Sequence, residues 1–269
     1  MELDNFDDAF NLTMTFRQDS DIYYPYDTAP SVFHALLKDN MTQYLDDLVA
    51  SKTNIAVWVV SNGYMKGAKR RKELSDELIA AGLNIDRRGK LFPESGPVPD
   101  RHSPKFHALV RGFKFYMSFE NQWHCREYFT EKVWNNGLRS EAVPVVWGAA
   151  KADYEAALPP GSLIFADDYT PQELAEYLNY LDKNDTAYRE YFNWRTMDPE
   201  LLPNQHRETG LCQLCRMLHG INIENIFNPL YGEKYSSIPL FTDEFSDLAP
   251  RIVHSLKDEF YGTDYPDCY

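Results

Sequence analysis

"FYMSFENQWHCREYFTEKVWNNGLRSEAVPVVWG", residues 115–148, holds two apolar β-rich runs, "FYMSF" (115–119) and "VPVVWG" (143–148). Between them lie polar residues and a helical pattern over 130–140. The same alternation recurs on either side. Further β-rich runs are "LTMTFR" (12–17), "NIAVWVV" (54–60) and "SLIFA" (162–166), and further helical patterns cover 68–81 and 170–181. Short buried strands alternating with helices predict an α/β fold with a parallel sheet. One helix start is explicit. "DDYTPQELAEYLNYL" sets Thr170 at the cap, Pro171 in the first turn and Glu173 three residues after the cap, followed by the stripe Leu174, Tyr177, Leu178 and Leu181. That is a capping box ahead of a packing face. The Pro-, Gly- and Ser-rich stretch 89–106 reads as a long surface loop, a length that in compact domains is often functional.

Across its 269 residues the chain carries a formal charge of −14. Nucleic-acid affinity rests on neutralising phosphates, so nucleic acid is not an expected partner. The basic run "KGAKRRKE" (66–73) interrupts the acidity with Lys66, Lys69, Arg70, Arg71 and Lys72. It fits either a solvated helix face or a local patch for an anionic ligand such as a diphosphate. Four cysteines (Cys125, Cys212, Cys215, Cys268) are too few for a disulfide scaffold, and a single CxxC lacks the second pair of a structural zinc site. No metal is expected, and "ADD" (166–168) reads as the entry to the capped helix. Three sequons, at Asn11, Asn40 and Asn184, are candidate glycosylation sites and lean towards the secretory pathway. No apolar run approaches the roughly eighteen residues of a membrane span. "MELDNFDD" is not a signal peptide, which leaves a cytosolic protein or a chain whose start lies further upstream.

In an open parallel sheet, ligands gather beyond the carboxyl ends of the strands, and phosphates favour helix N-termini. "FYMSF" runs directly into Glu120 and Asn121, and Thr130, Glu131 and Lys132 open the next helix. Lys132 would then meet a phosphate and Glu131 a ribose hydroxyl. From spacing alone, capping accounts for Thr130 and Glu131 equally well without a ligand.

Beyond spacing, these residues resemble the α-1,3-fucosyltransferase family. The resemblance rests on "FKFYMSFEN", "EYFTEKVWNNGL" and "AVPVVWGA", continues upstream in "FNLTMTFRQDSDIYYPY" and "VWVVSN", and runs downstream through residues 158–195 to "LCQLC" (211–215). It implies two Rossmann-like domains of the GT-B type: a partial acceptor domain over 1–50, a complete GDP-fucose-binding domain over 51–212, and an unassigned extension over 213–269. It further implies that Val60, Ser61, Asn62, Asn121, Tyr128, Glu131 and Lys132 hold the donor, with Arg71 the best match, and Arg70 close behind, for an arginine on the diphosphate. The implied reaction is inverting transfer of fucose from GDP-fucose to a GlcNAc of a glycan. No cofactor is required, because Lys132 and Arg71 would stabilise the departing diphosphate. The family's Golgi lumen and membrane anchor are implied as well, although no anchor is present here. The general base, a glutamate in a Glu-Ser-Pro segment, is expected upstream of Met1. Cys125 matches a family cysteine whose usual partner position is Leu91 here. A binding or interaction module without turnover is the alternative function.

Overall fold

The computed structural model describes residues 12–63, 66–204, 207 and 209–218. Its centre is a five-stranded parallel sheet of β3 (Asn54–Val59), β4 (Ile85–Arg88), β5 (Phe113–Phe119), β6 (Val143–Trp147) and β7 (Ile164–Phe165), in the order β4-β3-β5-β6-β7. Every ladder is parallel; Ala56 faces Ile85 on one side and Phe115 on the other, and Phe119 faces Trp147. β5 and β6 are buried throughout, as their unbroken apolar runs require. β4 reads Ile-Asp-Arg-Arg and is only half-buried, which an edge strand can accept.

Helices cover both faces, among them α4 (Pro104–Arg111), α5 (Lys151–Ala157) and α7 (Asp185–Arg189). α3 (Lys66–Ala80) turns Ala68, Arg71, Leu74, Ser75 and Leu78 inward at helical spacing and leaves Lys69 and Arg70 outside. Helical periodicity therefore splits the basic run. Lys72 pairs with Asp76 one turn on at 2.7 Å and Arg70 with Glu77 at 2.9 Å, as on a solvated face, while Arg71 points into the protein. α6 (Pro171–Lys183) opens with the expected capping box between Thr170 and Glu173 and buries Leu174, Ala175, Leu178 and Leu181. The segment after Thr130 forms a π-helix over Lys132–Leu138, with Arg139 N–H donating to Trp134 O at 2.9 Å.

The core extends upstream of residue 51. α1 (Ala29–Ala35) packs Val32 and Phe33 against Trp134 and Trp194, and α2 (Met41–Ala50) packs Leu45, Leu48 and Val49 with Tyr188 and Phe192. "LTMTFR" supplies only the two-residue strand β1 (Met14–Thr15), paired in parallel with β2 (Ile22–Tyr23). A buried polar knot holds this ribbon: Asp21 accepts from Thr13 N at 2.8 Å and from its hydroxyl at 3.0 Å. α8 (Gly210–Leu218) closes it, with Gln213 accepting from Tyr23 N at 2.9 Å and donating to Asp21 O at 3.2 Å. The remainder of 219–269 lies outside the described residues.

Beneath the amino ends of β3, β5 and β6, Lys52 donates to the backbone oxygens of Arg111 (2.9 Å) and Glu141. The Glu141 carboxylate takes Tyr44 OH at 2.8 Å, Arg195 at 2.7 Å and Arg111 at 2.9 Å. Burial pulls the Lys52 ammonium down to about 7; Glu141 opposes this, and Arg111, Arg195 and Lys114 add to it. The unfolded chain keeps this proton to about 10.5, whereas the folded one releases it above about 7. Between those values the unfolded state binds more protons, so stability should rise with pH from 7 towards 10. Above 10 the rise should stop, because Tyr116 is pushed up to about 12 by burial and holds a proton that the unfolded chain releases. Urea midpoints at pH 7 and pH 9 check this, and the rise should vanish in Lys52→Met.

Candidate functional site

Strand order fixes where a ligand can sit. From β3 the chain moves outward to β4 and then crosses back over β3 to β5, so the connections leaving β3 and β5 diverge and open a crevice at their carboxyl ends. Val60, Ser61 and Asn62 leave β3 at this point, and Glu120 and Asn121 leave β5. α3 begins beside them, with Gly67 so close to the Asn121 carbonyl that a Cβ on it would lie 2.5 Å from that oxygen.

Lys132 is positioned from below and from the side. Alternate residues of β5 tie down the π-helix: Ser118 donates to Lys132 O at 3.0 Å, and Tyr116 OH accepts from Asn136 at 3.1 Å. Its ammonium lies 2.8 Å from the fully buried Glu120 carboxylate, 2.7 Å from Thr130 Oγ1 and 3.3 Å from Glu131. Glu120 also accepts from Thr130 N at 2.7 Å and from its hydroxyl at 2.9 Å. Gly148, with φ +147°, makes room for this carboxylate; a Cβ there would meet Glu120 Cβ at 2.7 Å. Burial works against the Lys132 charge, but Glu120 and then Glu131 outweigh it and raise its pKa. The ammonium is thus a fixed positive charge. Burial would raise Glu131, yet Lys132, Thr130 and Arg101 bring it below the usual carboxylate range.

Around this pair, Tyr128 OH donates to Asn121 Oδ1 at 3.1 Å, and the Tyr128 ring meets Phe16 edge-on at 5.4 Å. Ser61 and Asn62 are exposed at the rim. Val60 and Arg71 lie underneath instead, each 2 % exposed. Val60 N–H donates to Arg88 O at 2.8 Å. Arg71 donates to Phe119 O at 2.9 Å and Asn62 O at 2.7 Å, clamping the carboxyl ends of β5 and β3 together. The structure therefore brings Ser61, Asn62, Asn121, Tyr128, Glu131 and Lys132 to one crevice and sets Arg71 and Val60 as its floor.

Two neighbours went unrecognised in the sequence. The loop 89–103 walls a cleft of about 620 Å³ with Val59, Ser61, Val98, Pro99 and Arg101, and Arg101 reaches across to Glu131 at 3.4 Å. The loop's length was its only sequence signal. Tyr26 is exposed, and its phenol is pushed up by burial of part of the ring and by the carboxylates of Glu131 and Glu120. The aromatic cluster 23–26 could have flagged it.

The other sequence candidates have local partners. Asn40 and Asn184 cap helices, accepting from Gln43 N at 3.3 Å and Ala187 N at 3.1 Å, while Asn11 lies outside the described residues. Asp168 pairs with Lys151 at 2.5 Å in the turn before α6. Cys212 and Cys215 are free and exposed, whereas buried Cys125 is disulfide-bonded. Among the described residues no group of His, Cys, Asp and Glu side chains is arranged to hold a metal ion, and no helix is long and apolar enough to cross a membrane.

Residues 49–232 match the family described as Glycosyltransferase family 10 (fucosyltransferase) C-term, a match that begins in α2 and contains the whole sheet. The chain is 36 % identical over 202 residues to a 3-galactosyl-N-acetylglucosaminide 4-alpha-L-fucosyltransferase of Bos taurus, covering 72 % of this chain and 49 % of the relative. It is 38 % identical over 199 residues to a 4-galactosyl-N-acetylglucosaminide 3-alpha-L-fucosyltransferase of Pongo pygmaeus (72 % and 50 %), and 37 % identical over 198 residues to one of Homo sapiens (72 % and 48 %). The chain spans about half the length of the curated relatives it matches. On a match across most of its length, the chain belongs to glycosyltransferase family 10, the fucosyltransferases.

Proposed function

We propose that this chain binds GDP-fucose in the crevice at the carboxyl ends of β3 and β5 and transfers fucose, with inversion, to a GlcNAc of a glycoprotein or glycolipid glycan. The observation that carries this is the charged cluster Glu120, Lys132, Glu131 and Arg101 at the strand-order switch, whose Arg101 also lines a cleft of about 620 Å³. Lys132 spends two of its donors on Glu120 and Thr130, and its third contact, to Glu131 at 3.3 Å, is long enough to be given up to a phosphate oxygen. Glu131 then turns to a ribose hydroxyl, Asn121 and Tyr128 face the sugar, and Ser61 and Asn62 border the nucleotide. As the bond to fucose breaks, charge gathers on the departing diphosphate, and a preorganised ammonium needs no reorientation to stabilise it.

In this reading residues 51–212 form the donor domain, α1 and α2 pack into its core, and the residues before α1 contribute part of an acceptor domain. The family's inverting chemistry needs a base for the acceptor hydroxyl, which we place outside the residues assigned here. A Golgi-lumen setting, membrane association through the family's anchor and glycans at Asn11, Asn40 and Asn184 belong to the same proposal. Calorimetry with GDP, UDP and ADP tests it: GDP should bind, and the other two should bind at least about tenfold more weakly. Equal affinity for all three, or no binding, would reject the donor assignment.

A further inference from the structure

Arg71, Lys132 and Arg101 stand at the crevice, and they differ in what it costs to move them. Arg71 is 2 % exposed and spends two nitrogens on strand-end carbonyls. Lys132 is held against a Glu120 side chain that is 1 % exposed, and parting a buried pair leaves an uncompensated charge. Arg101 is different. Its side chain is 36 % exposed, its only ionic partner among the described residues is the 30 % exposed Glu131, and the two stand 3.4 Å apart. A pair so exposed contributes little and exchanges easily. Its main chain is nevertheless fixed, because Asn135 Nδ2 donates to Arg101 O at 3.1 Å and so ties the loop to the π-helix. The guanidinium thus swings from a pinned base, at the wall of the cleft shared with Ser61. Glu131 meanwhile stands between two cations, Lys132 and Arg101.

From this geometry we infer that Arg101 is a diphosphate-binding residue, and that Glu131 occupies the anion position between Arg101 and Lys132 until a diphosphate replaces it. The inference rests on the donor-site reading above and adds a group from a loop that otherwise only walls the cleft. On binding, the diphosphate oxygens take the Arg101 and Lys132 N–H donors, and the displaced Glu131 carboxylate becomes available to a ribose hydroxyl. The exchange keeps each charge partnered at every stage, so the anionic ligand enters without leaving a bare carboxylate behind. Arg101 is suited to the task because a guanidinium can hold two phosphate oxygens at once.

Calorimetry with GDP and with guanosine separates this role from a structural one. Arg101→Ala should lower GDP affinity roughly ten- to a hundredfold, the scale of one charge-assisted contact, and change guanosine affinity by less than about twofold. Arg101→Lys should recover part of the loss. In a Glu131→Gln background, Arg101→Ala should still weaken GDP, since the contact is with the ligand. Equal losses for GDP and guanosine would show that Arg101 only shapes the loop and would overturn the inference. Unchanged GDP affinity, or no further loss in the Glu131→Gln background, would overturn it as well. Absence of GDP binding by the unsubstituted protein would instead overturn the donor-site reading, and this assignment with it.

Discussion

Lys132→Met is expected to cost about 3–5 kcal/mol of folding stability, the range for removing one member of a buried ion pair. Glu120 would remain fully buried with only Thr130 N and Oγ1 as donors, at 2.7 and 2.9 Å. GDP affinity should also fall, roughly ten- to a hundredfold, with the lost charge-assisted contact. The two effects come apart in a second variant. Glu120→Gln combined with Lys132→Met removes both charges, so most of the stability should return while GDP affinity stays low. Denaturant titration and calorimetry on the single and double variants make the comparison. A double variant as unstable as the single one would show that Lys132 supports the fold through its packing and not through the pair.

Gly67→Ala is the second large effect. A Cβ at this position would lie 2.5 Å from Asn121 O and 2.9 Å from Asn121 C, both backbone atoms that cannot rotate away. Either the start of α3 or the segment after β5 must move, at about 1–3 kcal/mol for overpacking. Both border the crevice, so the substitution acts on the site as well as the fold. GDP affinity should drop by about tenfold or more, each decade corresponding to about 1.4 kcal/mol of lost interaction. The melting temperature should fall by roughly 2–4 °C per kcal/mol. A stable protein with full GDP affinity would show that the helix shifts without disturbing Asn121.

How legible all this was in the sequence depends on where each residue gets its reason. β3, β5 and β6 announce themselves because central parallel strands are apolar on both faces. α6 does so because Thr170, Pro171 and Glu173 satisfy its first turn locally. β4 does not: Asp86, Arg87 and Arg88 carry no apolar period, and only pairing with Ala56–Val59 makes them a strand. The ribbon at 13–23 is half legible: "LTMTFR" marks its first strand, but Arg17, Gln18, Ser20 and Asp21 are buried through hydrogen bonds that no periodicity encodes. The crevice shows the same division. Asn121, Tyr128, Glu131 and Lys132 all follow the same strand in one short stretch and could be read together. Arg101 comes from thirty residues away in a loop, and Arg71 faces inward only because helical spacing separates it from its basic neighbours.

The contact between the ribbon and α8 has a consequence for synthesis. Tyr23 and Gln213 are 190 residues apart in sequence, and the ribbon is among the first described parts of the chain to be made. At a translation rate of about 5–20 residues per second, the side chain that bonds its main chain follows roughly 10–40 s later. During that interval Tyr23 N–H and Asp21 O have no α8 to bond, and Asp19 and Gln18 wait a shorter time for Arg126 and Glu127. Of the described residues, those of the ribbon are thus among the earliest made and the last to complete their hydrogen bonds, and a chain stopped before Gly210 should leave Tyr23 N–H and Asp21 O open to solvent.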